Sequence, residues 1–154
     1  MDQKITLRHS ASGYDLEALP ATVREQRILD LTAAERHVLL ASGTEAPFCG
    51  GLLAEHGHGS FVCRLCDLPL FRSDDKFDSG TGWPSFTRPF DLEHVRRLTD
   101  ASHGMVRTEI RCARCDIHLG HVFPDGPPPT GERHCVNSLA LRFLPEADKA
   151  NDPG

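Results

Sequence analysis

The six cysteines of this 154-residue chain divide into two kinds by their spacing. Four of them form two C-x-x-C pairs, Cys63 with Cys66 and Cys112 with Cys115. Each pair can turn two thiolates toward one ion, and two pairs complete the tetrahedral sulfur set that suits Zn²⁺. A site with four protein ligands has no open position. We therefore expect one zinc ion per chain that stabilises the structure and takes no part in catalysis.

Other uses of a C-x-x-C pair compete with zinc. Attachment of c-type haem needs a histidine after the second cysteine, but Asp67 and Asp116 occupy those positions. A thioredoxin-like redox pair lies at a helix start beside a βαβ pattern, which this sequence lacks. An iron–sulfur cluster stays open as an alternative. Because 45 residues separate the two pairs, more than the roughly 15–20 of a compact zinc ribbon, the metal is predicted to join two distant hairpins.

Cys135 stands outside both pairs and has polar neighbours that could support thiol chemistry. His134 precedes it, Asn137 follows two positions later, and His118 and His121 lie upstream. Together they resemble a nucleophile with a nearby acid or base, in which cationic or donor-rich surroundings would lower the thiol pKa. The alternative is that Cys135 is a small buried apolar residue and that each histidine is a hydrogen-bonded polar group.

The one tryptophan, Trp83, lies in a loop rich in glycine and proline. A lone tryptophan usually belongs to the core, but in such a loop its ring is expected to face a pocket. The surrounding residues 73–91 are rich in Asp, Ser, Gly and Pro and are predicted to form a long structured loop. Loops of this length in compact domains are often functional.

Short elements are predicted to position these side chains. Residues 22–42 are predicted to be helical, with Thr32 and Glu35 as a capping box. Apolar segments on either side of the first C-x-x-C pair predict a β-hairpin. Met105 to Cys112 alternates between apolar and polar residues and predicts a half-buried strand. Arg133 to Leu144 is predicted to be one strand, with Cys135 and Asn137 on the same face.

Length and composition bound the class of protein. One catalytic domain is expected over residues 21–145, with an N-terminal extension at 1–20, read as loosely attached, and a polar tail at 146–154. A net charge of −5 and an aromatic content of 6% argue against nucleic-acid binding. No apolar run is long enough to span a membrane and no secretory signal is recognised, so we expect a cytoplasmic, monomeric protein.

Four segments carry a resemblance to a known family. They are DSGTGWPSF at 78–86, RCARCD at 111–116, HLGHVFPDG at 118–126 and RHCVNS at 133–138. In order and spacing they are similar to the signatures of the methionine-R-sulfoxide reductase (MsrB) family, from about residue 31 to 144. The resemblance implies a mainly β fold, with two antiparallel sheets forming a barrel-like core and short N-terminal helices. It implies reduction of methionine-R-sulfoxide, free or in oxidised proteins, with thioredoxin as the reductant.

The resemblance also implies roles for individual residues. Cys135 falls on the catalytic cysteine, and His121 and Asn137 fall on polar groups that assist at the sulfoxide oxygen. Trp83 falls on the residue whose ring receives the substrate methyl group. Three more residues fall on polar substrate-binding positions: His118, Asp125 and Arg133. Zinc ligands of many members fall on the four paired cysteines: Cys63, Cys66, Cys112 and Cys115.

One position departs from the family pattern. The commonest resolving cysteine of the family falls on residue 81, which is Thr81 here. With four cysteines assigned to zinc, we expect Cys49 to condense with the sulfenic acid of Cys135. The alternative is an inert Cys49, with the sulfenic acid reduced directly by an external thiol.

Two other functions compete with a reductase. A zinc-ribbon binding module without catalysis would use the two C-x-x-C pairs alone, but the negative charge and the lack of a basic stripe argue against a nucleic-acid module. A zinc hydrolase or deaminase would use His118, His121 and Cys135 as ligands, but the H-x-E and P-C-x-x-C signatures of deaminases are missing.

Overall fold

Residues 9–47 and 51–146 are described by the structure, a computed structural model. Within these ranges two helices are followed by nine strands. The helices are α1 (Ala21–Leu29) and α2 (Ala33–Leu40). The strands are β1 (Gly59–Cys63), β2 (Pro69–Arg72), β3 (Lys76–Phe77), β4 (Ser85–Phe86), β5 (Val95–Asp100), β6 (Arg107–Cys112), β7 (His118–Phe123), β8 (Arg133–Val136) and β9 (Leu141–Pro145).

The strands form two antiparallel sheets. One has the order β2-β1-β9, and the other has the order β3-β4-β8-β7-β6-β5. The prediction of a mainly β fold with two antiparallel sheets and short N-terminal helices is therefore confirmed. The predicted barrel-like closure is wrong for the described strands, because each sheet ends on edge strands instead of pairing back on itself: β2 and β9 in one, β3 and β5 in the other.

Three phenylalanines join the two sheets. Phe61 and Phe71 are paired across the hairpin β1–β2, which is the predicted hairpin around the first C-x-x-C, and Phe86 comes from β4 of the other sheet. All three side chains are fully buried. The ring centroids of Phe71 and Phe86 are 4.4 Å apart and stacked. Burial stabilises each such side chain by about 1.5–3 kcal/mol, so this cluster holds the sheets face to face.

The helical region is divided in two. Thr32 Oγ1 accepts the Glu35 N–H at 3.1 Å and Glu35 Oε1 accepts the Thr32 N–H at 2.9 Å, which confirms the predicted capping box. Because that box begins a second helix, the helical region predicted over 22–42 forms two short helices, with residues 30–32 between them. Helix α2 buries Val38 and Leu39 against the rest of the domain.

The single strand predicted from Arg133 to Leu144 is also wrong. Strand β8 belongs to the six-stranded sheet and β9 to the three-stranded sheet. Between them a 3₁₀ turn covers Ser138–Ala140 and moves the chain from one sheet to the other. The carboxylate of Glu45 accepts the N–H groups of Ser138 and Leu139 at 2.9 and 3.0 Å. This partner is remote in sequence, so strand periodicity alone could not reveal the break.

Residues 9–20 are docked on the domain instead of being loosely attached. Leu16 is 3% exposed and belongs to the core, and Ser10 is buried beside His94. The hydroxyl of Ser10 lies 2.8 Å from His94 Nε2. Arg114 Nε donates to the Glu17 carbonyl at 2.8 Å. In the described ranges, no helix is both long and apolar enough to cross a membrane.

Candidate active site and metal centre

Four buried cysteine side chains meet between the two sheets. Their sulfur atoms all lie within 4.8 Å of one another, with Sγ–Sγ distances of 3.4 Å for Cys63–Cys115 and 3.5 Å for Cys66–Cys112. Cys63 ends β1 and Cys112 ends β6, so the cluster connects the sheets. Burial raises the pKa of the Cys63 thiol, and a cation is the usual counter-charge for buried thiolates. The four side chains could hold one metal ion.

Both C-x-x-C pairs fold into the same tight turn. The Asp67 N–H donates to the Cys63 carbonyl and the Asp116 N–H to the Cys112 carbonyl, each at 2.9 Å. Asp67 and Asp116 have φ angles of 66° and 65°. Aspartate enters this left-handed region more readily than most residues. The repeated C-x-x-C-D sequence is therefore also a repeated structure.

Helix α1 contacts both cysteine turns. Arg24 Nη2 donates to the Cys115 carbonyl at 3.2 Å, and Arg27 Nη1 donates to the Leu65 carbonyl at 2.9 Å. Arg27 also lies 3.8 Å from the carboxylate of Asp67. The helix thus spans the two turns from outside and ties them together.

A separate cavity of about 250 Å³ opens on one face of the six-stranded sheet. Its lining brings together six of the residues predicted from the sequence: Trp83, His118, His121, Arg133, Cys135 and Asn137. Asp125 lies outside the lining. Its carboxylate pairs with Arg133, with Oδ1 3.0 Å from Nε, so it acts on the cavity through that guanidinium.

A row of side chains crosses the sheet beneath the cavity. Glu109 of β6 pairs with His121 of β7, and His121 pairs with Cys135 of β8. Directly opposed residues have Cβ atoms about 4.5–5.5 Å apart, so the side chains of His121 and Cys135 start as neighbours on one face of the sheet. At Gly120 a Cβ would lie 1.9 Å from the Cys135 carbonyl oxygen. Only glycine therefore lets β7 approach β8 this closely.

Burial has the largest effect on the pKa of the half-buried thiol of Cys135. Burial raises its pKa above the ordinary value, and the nearby carboxylate of Glu45 acts in the same direction. The charge of Arg133 and a hydrogen bond from Thr81 lower the pKa but do not offset the burial. The cationic and hydrogen-bonding neighbours lower the pKa as expected, but desolvation outweighs them and the net shift is upward.

Each histidine of the cavity is paired with a carboxylate. His118 Nδ1 lies 2.7 Å from Glu109 Oε2, and His121 Nε2 lies 2.8 Å from Asp100 Oδ2. The ring centroids of the two histidines are 5.6 Å apart. Burial lowers the pKa of His118 despite the hydrogen bond to Glu109. His118 is therefore neutral near pH 7, and its Nδ1–H donates to the carboxylate.

Glu45 holds the other wall of the cavity in place. Its backbone carbonyl accepts the Trp83 Nε1–H at 3.0 Å, and its N–H donates to Asn137 Oδ1 at 3.0 Å. The side-chain amide of Asn137 also donates to the Leu119 carbonyl at 3.1 Å. The indole and the amide are thus fixed relative to the sheet before any ligand enters.

The whole chain was compared with known proteins. The SelR domain family matches residues 31–145. The peptide methionine sulfoxide reductase MsrB of Caulobacter vibrioides is 56% identical over 144 residues, covering 94% of this chain and 91% of the relative. The peptide methionine sulfoxide reductase MsrB of Xylella fastidiosa is 58% identical over 132 residues, covering 86% and 85%. This chain belongs to the MsrB family.

The recycling expected from the sequence resemblance concerns residue 81 and Cys49. Thr81 lines the cavity, where the sequence resemblance would place a resolving cysteine. Cys49, the predicted replacement, lies outside the residues that the structure describes. The described chain stops at Pro47, two positions after Glu45, and resumes at Gly51.

Four residues around the MsrB cavity were not anticipated from the sequence: Glu45, Asp100, Arg107 and Glu109. Glu109 had one indication in the sequence, because it belongs to the polar face of the predicted strand. In the structure its side chain is only 7% exposed. Arg107 belongs to the same polar face, whereas nothing in the sequence pointed to Asp100, its directly paired partner on β5. Their partners lie on other strands, so only the sheet register brings them to the site.

Proposed function

We propose that this chain reduces the R epimer of methionine sulfoxide, free or in oxidised proteins, to methionine. One observation carries the proposal beyond family membership. Cys135, a thiol with an imidazole directly opposite it in the sheet, shares a small cavity with the ring of Trp83. A nucleophile, a proton carrier and an apolar wall are what oxygen removal from a methyl sulfoxide requires.

The chemistry is the transfer of one oxygen atom. The sulfur of Cys135 attacks the electrophilic sulfoxide sulfur, and the sulfoxide oxygen gains negative charge that His121 and Asn137 stabilise or protonate. The S–O bond of the substrate breaks, methionine leaves, and Cys135 becomes a sulfenic acid. Methionine sulfoxide is reduced by two electrons and the cysteine sulfur is oxidised by two.

Selectivity for one epimer follows from the wall of the cavity. The indole of Trp83 is anchored through its Nε1–H to the Glu45 carbonyl, which leaves the ring as an apolar surface for the S-methyl group. In the other epimer the methyl group and the oxygen exchange places. The oxygen would then face the ring without a donor, which disfavours that epimer. His118 and Arg133 line the cavity and complete the substrate site, with Asp125 holding Arg133.

The four clustered cysteines support a structural zinc site. A tetrahedron with Zn–S bonds of about 2.3 Å has sulfur–sulfur edges of about 3.8 Å, and the Sγ–Sγ distances of 3.4 and 3.5 Å are close to that edge. Cys63, Cys66, Cys112 and Cys115 would fill all four positions of the ion, which leaves none for substrate. The ion would join the two sheets and supply stability alone.

Recycling is proposed to use Cys49. Its thiol condenses with the sulfenic acid of Cys135, which forms a disulfide and releases water. A thioredoxin-type dithiol then reduces that disulfide by exchange and is itself oxidised. Support comes from the cysteine count, since four cysteines form one cluster that could hold a metal ion and residue 81 is a threonine.

The decisive assay measures methionine formation from separated R and S epimers, with dithiothreitol and with thioredoxin as reductants. We expect turnover of the R epimer alone, and none with Cys135→Ser, because a serine hydroxyl is a far weaker nucleophile near neutral pH. Turnover of the S epimer alone would reject the proposal.

The same assay separates the recycling step from the reduction step. Cys49→Ser should keep a normal first turnover and its activity with dithiothreitol but lose thioredoxin-driven turnover. Peptide mapping of the wild type after one turnover should find a Cys49–Cys135 disulfide. Full thioredoxin activity in Cys49→Ser would assign direct reduction of the sulfenic acid instead.

A further inference from the structure

The two ring nitrogens of His121 have different surroundings. Nε2 lies 2.8 Å from Asp100 Oδ2. Asp100 ends β5 and is itself held by two other donors, the Ser102 N–H at 2.9 Å from Oδ1 and Arg107 Nη2 at 3.3 Å from Oδ2. Hydrogen bonds from Ser102 and from His121 keep the pKa of Asp100 well below its usual range. An ionised carboxylate only accepts, so the proton between these groups resides on Nε2.

This hydrogen bond selects one tautomer of the neutral imidazole. With the proton on Nε2, the other nitrogen, Nδ1, carries a lone pair and is a proton acceptor. Cys135 is directly opposite in the register, and burial raises the pKa of its thiol. Of the two ring nitrogens, Nδ1 is therefore the one that the bond to Asp100 leaves as a proton acceptor.

Proton counting in the reduction step matches this arrangement. A thiol and a sulfoxide enter, and a sulfenic acid and a thioether leave, so no proton is taken from solvent. The proton that leaves the sulfur of Cys135 ends on the oxygen that the same sulfur receives. The step needs a group that can accept this proton and then release it.

We propose that Asp100 is a positioning residue that fixes the Nε2–H tautomer of His121, so that Nδ1 takes the proton of Cys135 and delivers it to the sulfoxide oxygen. Between the two transfers the imidazolium is stabilised by the adjacent carboxylate. This inference rests on the proposed function, because it assumes Cys135 as the nucleophile and His121 as the acid.

Other charged or titratable groups also face His121. They are Arg107, Glu109, His118, Arg133 and Cys135. Glu109 is the one other carboxylate among these described neighbours, and it is already engaged by His118 Nδ1 at 2.7 Å and by Arg111 Nε at 2.9 Å. The carboxylate bonded to His121 is that of Asp100.

The substitution Asp100→Asn tests the tautomer directly. The backbone N–H of Ser102 is fixed and requires an oxygen at the Oδ1 position. The amide nitrogen of asparagine therefore takes the Oδ2 position, where it faces His121 and displaces the longer bond of 3.3 Å from Arg107 Nη2. It can only donate there, so Nε2 becomes the acceptor and the proton moves to Nδ1. In protein labelled with ¹⁵N-histidine, with the His121 signals assigned by their loss in His121→Ala, we expect the Nε2–H pattern in the wild type and the Nδ1–H pattern in Asp100→Asn. Asp74→Asn, which changes an exposed carboxylate, is the control and should leave the pattern unchanged.

The kinetic arm measures methionine formed in a single turnover without external reductant. We expect Asp100→Asn to be about 10²-fold slower than the wild type, with the half-saturating substrate concentration nearly unchanged and Asp74→Asn at the wild-type rate. A purely structural role for Asp100 would weaken binding or folding without moving the ring proton.

Each outcome separates this inference from the proposed function. If wild-type His121 carries its proton on Nδ1, the inference is overturned, whether or not any variant folds. If Asp100→Asn reacts at the wild-type rate while His121→Ala is slow, the inference fails and the acid role of His121 stands. If His121→Ala itself reacts at the wild-type rate, the fault lies in the proposed role of His121. If Cys135→Ser is active, it lies in the proposed nucleophile.

Discussion

Replacing Glu45 with alanine would release the turn that follows the nucleophile strand. The carboxylate of Glu45 accepts the N–H groups of Ser138 and Leu139 at 2.9 and 3.0 Å. A hydrogen bond to a charged group stabilises a fold by about 1.5–3 kcal/mol. Glu45 is only half-buried, so the lower figure applies, and two such bonds give about 3 kcal/mol. For a chain of this size, this corresponds to a fall in Tm of about 6–12 °C.

The assay is thermal unfolding followed by circular dichroism. Glu45→Gln should lie between the wild type and Glu45→Ala, because the amide keeps one acceptor oxygen for the two N–H groups. Glu25→Ala is the matched control. Glu25 is exposed on α1, and an exposed substitution changes stability by no more than about 0.5 kcal/mol. A Glu45→Ala protein whose Tm stays within the range of Glu25→Ala would refute the reasoning.

The same variant should also bind substrate less well. The backbone of Glu45 holds the indole of Trp83 and the amide of Asn137, and both groups contact the cavity. Once the segment loosens, these groups are no longer fixed before substrate arrives. We expect KM to rise more than kcat falls in steady-state assays at a temperature well below the Tm.

Three other predictions concern the metal and the thiol. Cys112→Ser should yield unstable, metal-poor protein, because metal binding at such sites supplies folding free energy of about 10 kcal/mol. Elemental analysis measures the metal content. A variant that is folded, fully active and free of metal would contradict the prediction. Arg27→Ala should release zinc to a chromogenic chelator about tenfold faster than the wild type, because it loses one charged hydrogen bond. Arg88→Ala, a substitution at an exposed arginine, should release zinc at the wild-type rate. Arg133→Ala removes a positive charge that favours the thiolate, so the pKa of Cys135 should rise further and its alkylation by iodoacetamide should require higher pH; a shift of the alkylation profile to lower pH would oppose this.

Local chemistry was predictable from the sequence. The two C-x-x-C pairs indicated the four-cysteine cluster because metal-ligand spacing is a short-range pattern. Thr32 and Glu35 indicated the start of α2 because both hydrogen bonds of a capping box lie within one turn. The β1–β2 hairpin was predictable for the same reason, because its two strands are adjacent in sequence.

What depends on distant partners was not predictable. The break after β8 is stabilised by Glu45, which lies 93 positions away from Ser138. Asp100 reaches His121 across 21 positions because β5 and β7 flank β6 in the sheet. The raised pKa of Cys135 reflects burial, which depends on the packing of the whole cavity wall. None of these three causes lies within a short stretch of the sequence.

The division of the metal centre between two hairpins also orders events during synthesis. Cys66 and Cys112 are 46 positions apart, so at about 5–20 residues per second the second turn leaves the ribosome about 2–9 s after the first. During that interval the nascent chain contains only two of the four clustered cysteines, half of a tetrahedral set. All of β2 to β5 is made before the set is complete. If the four cysteines bind zinc as proposed, the ion would therefore not nucleate folding locally, as it does in a small zinc finger. It would bind only after the strands from β1 to β5 have been synthesised, and it would stabilise the assembly of the two sheets at a late stage.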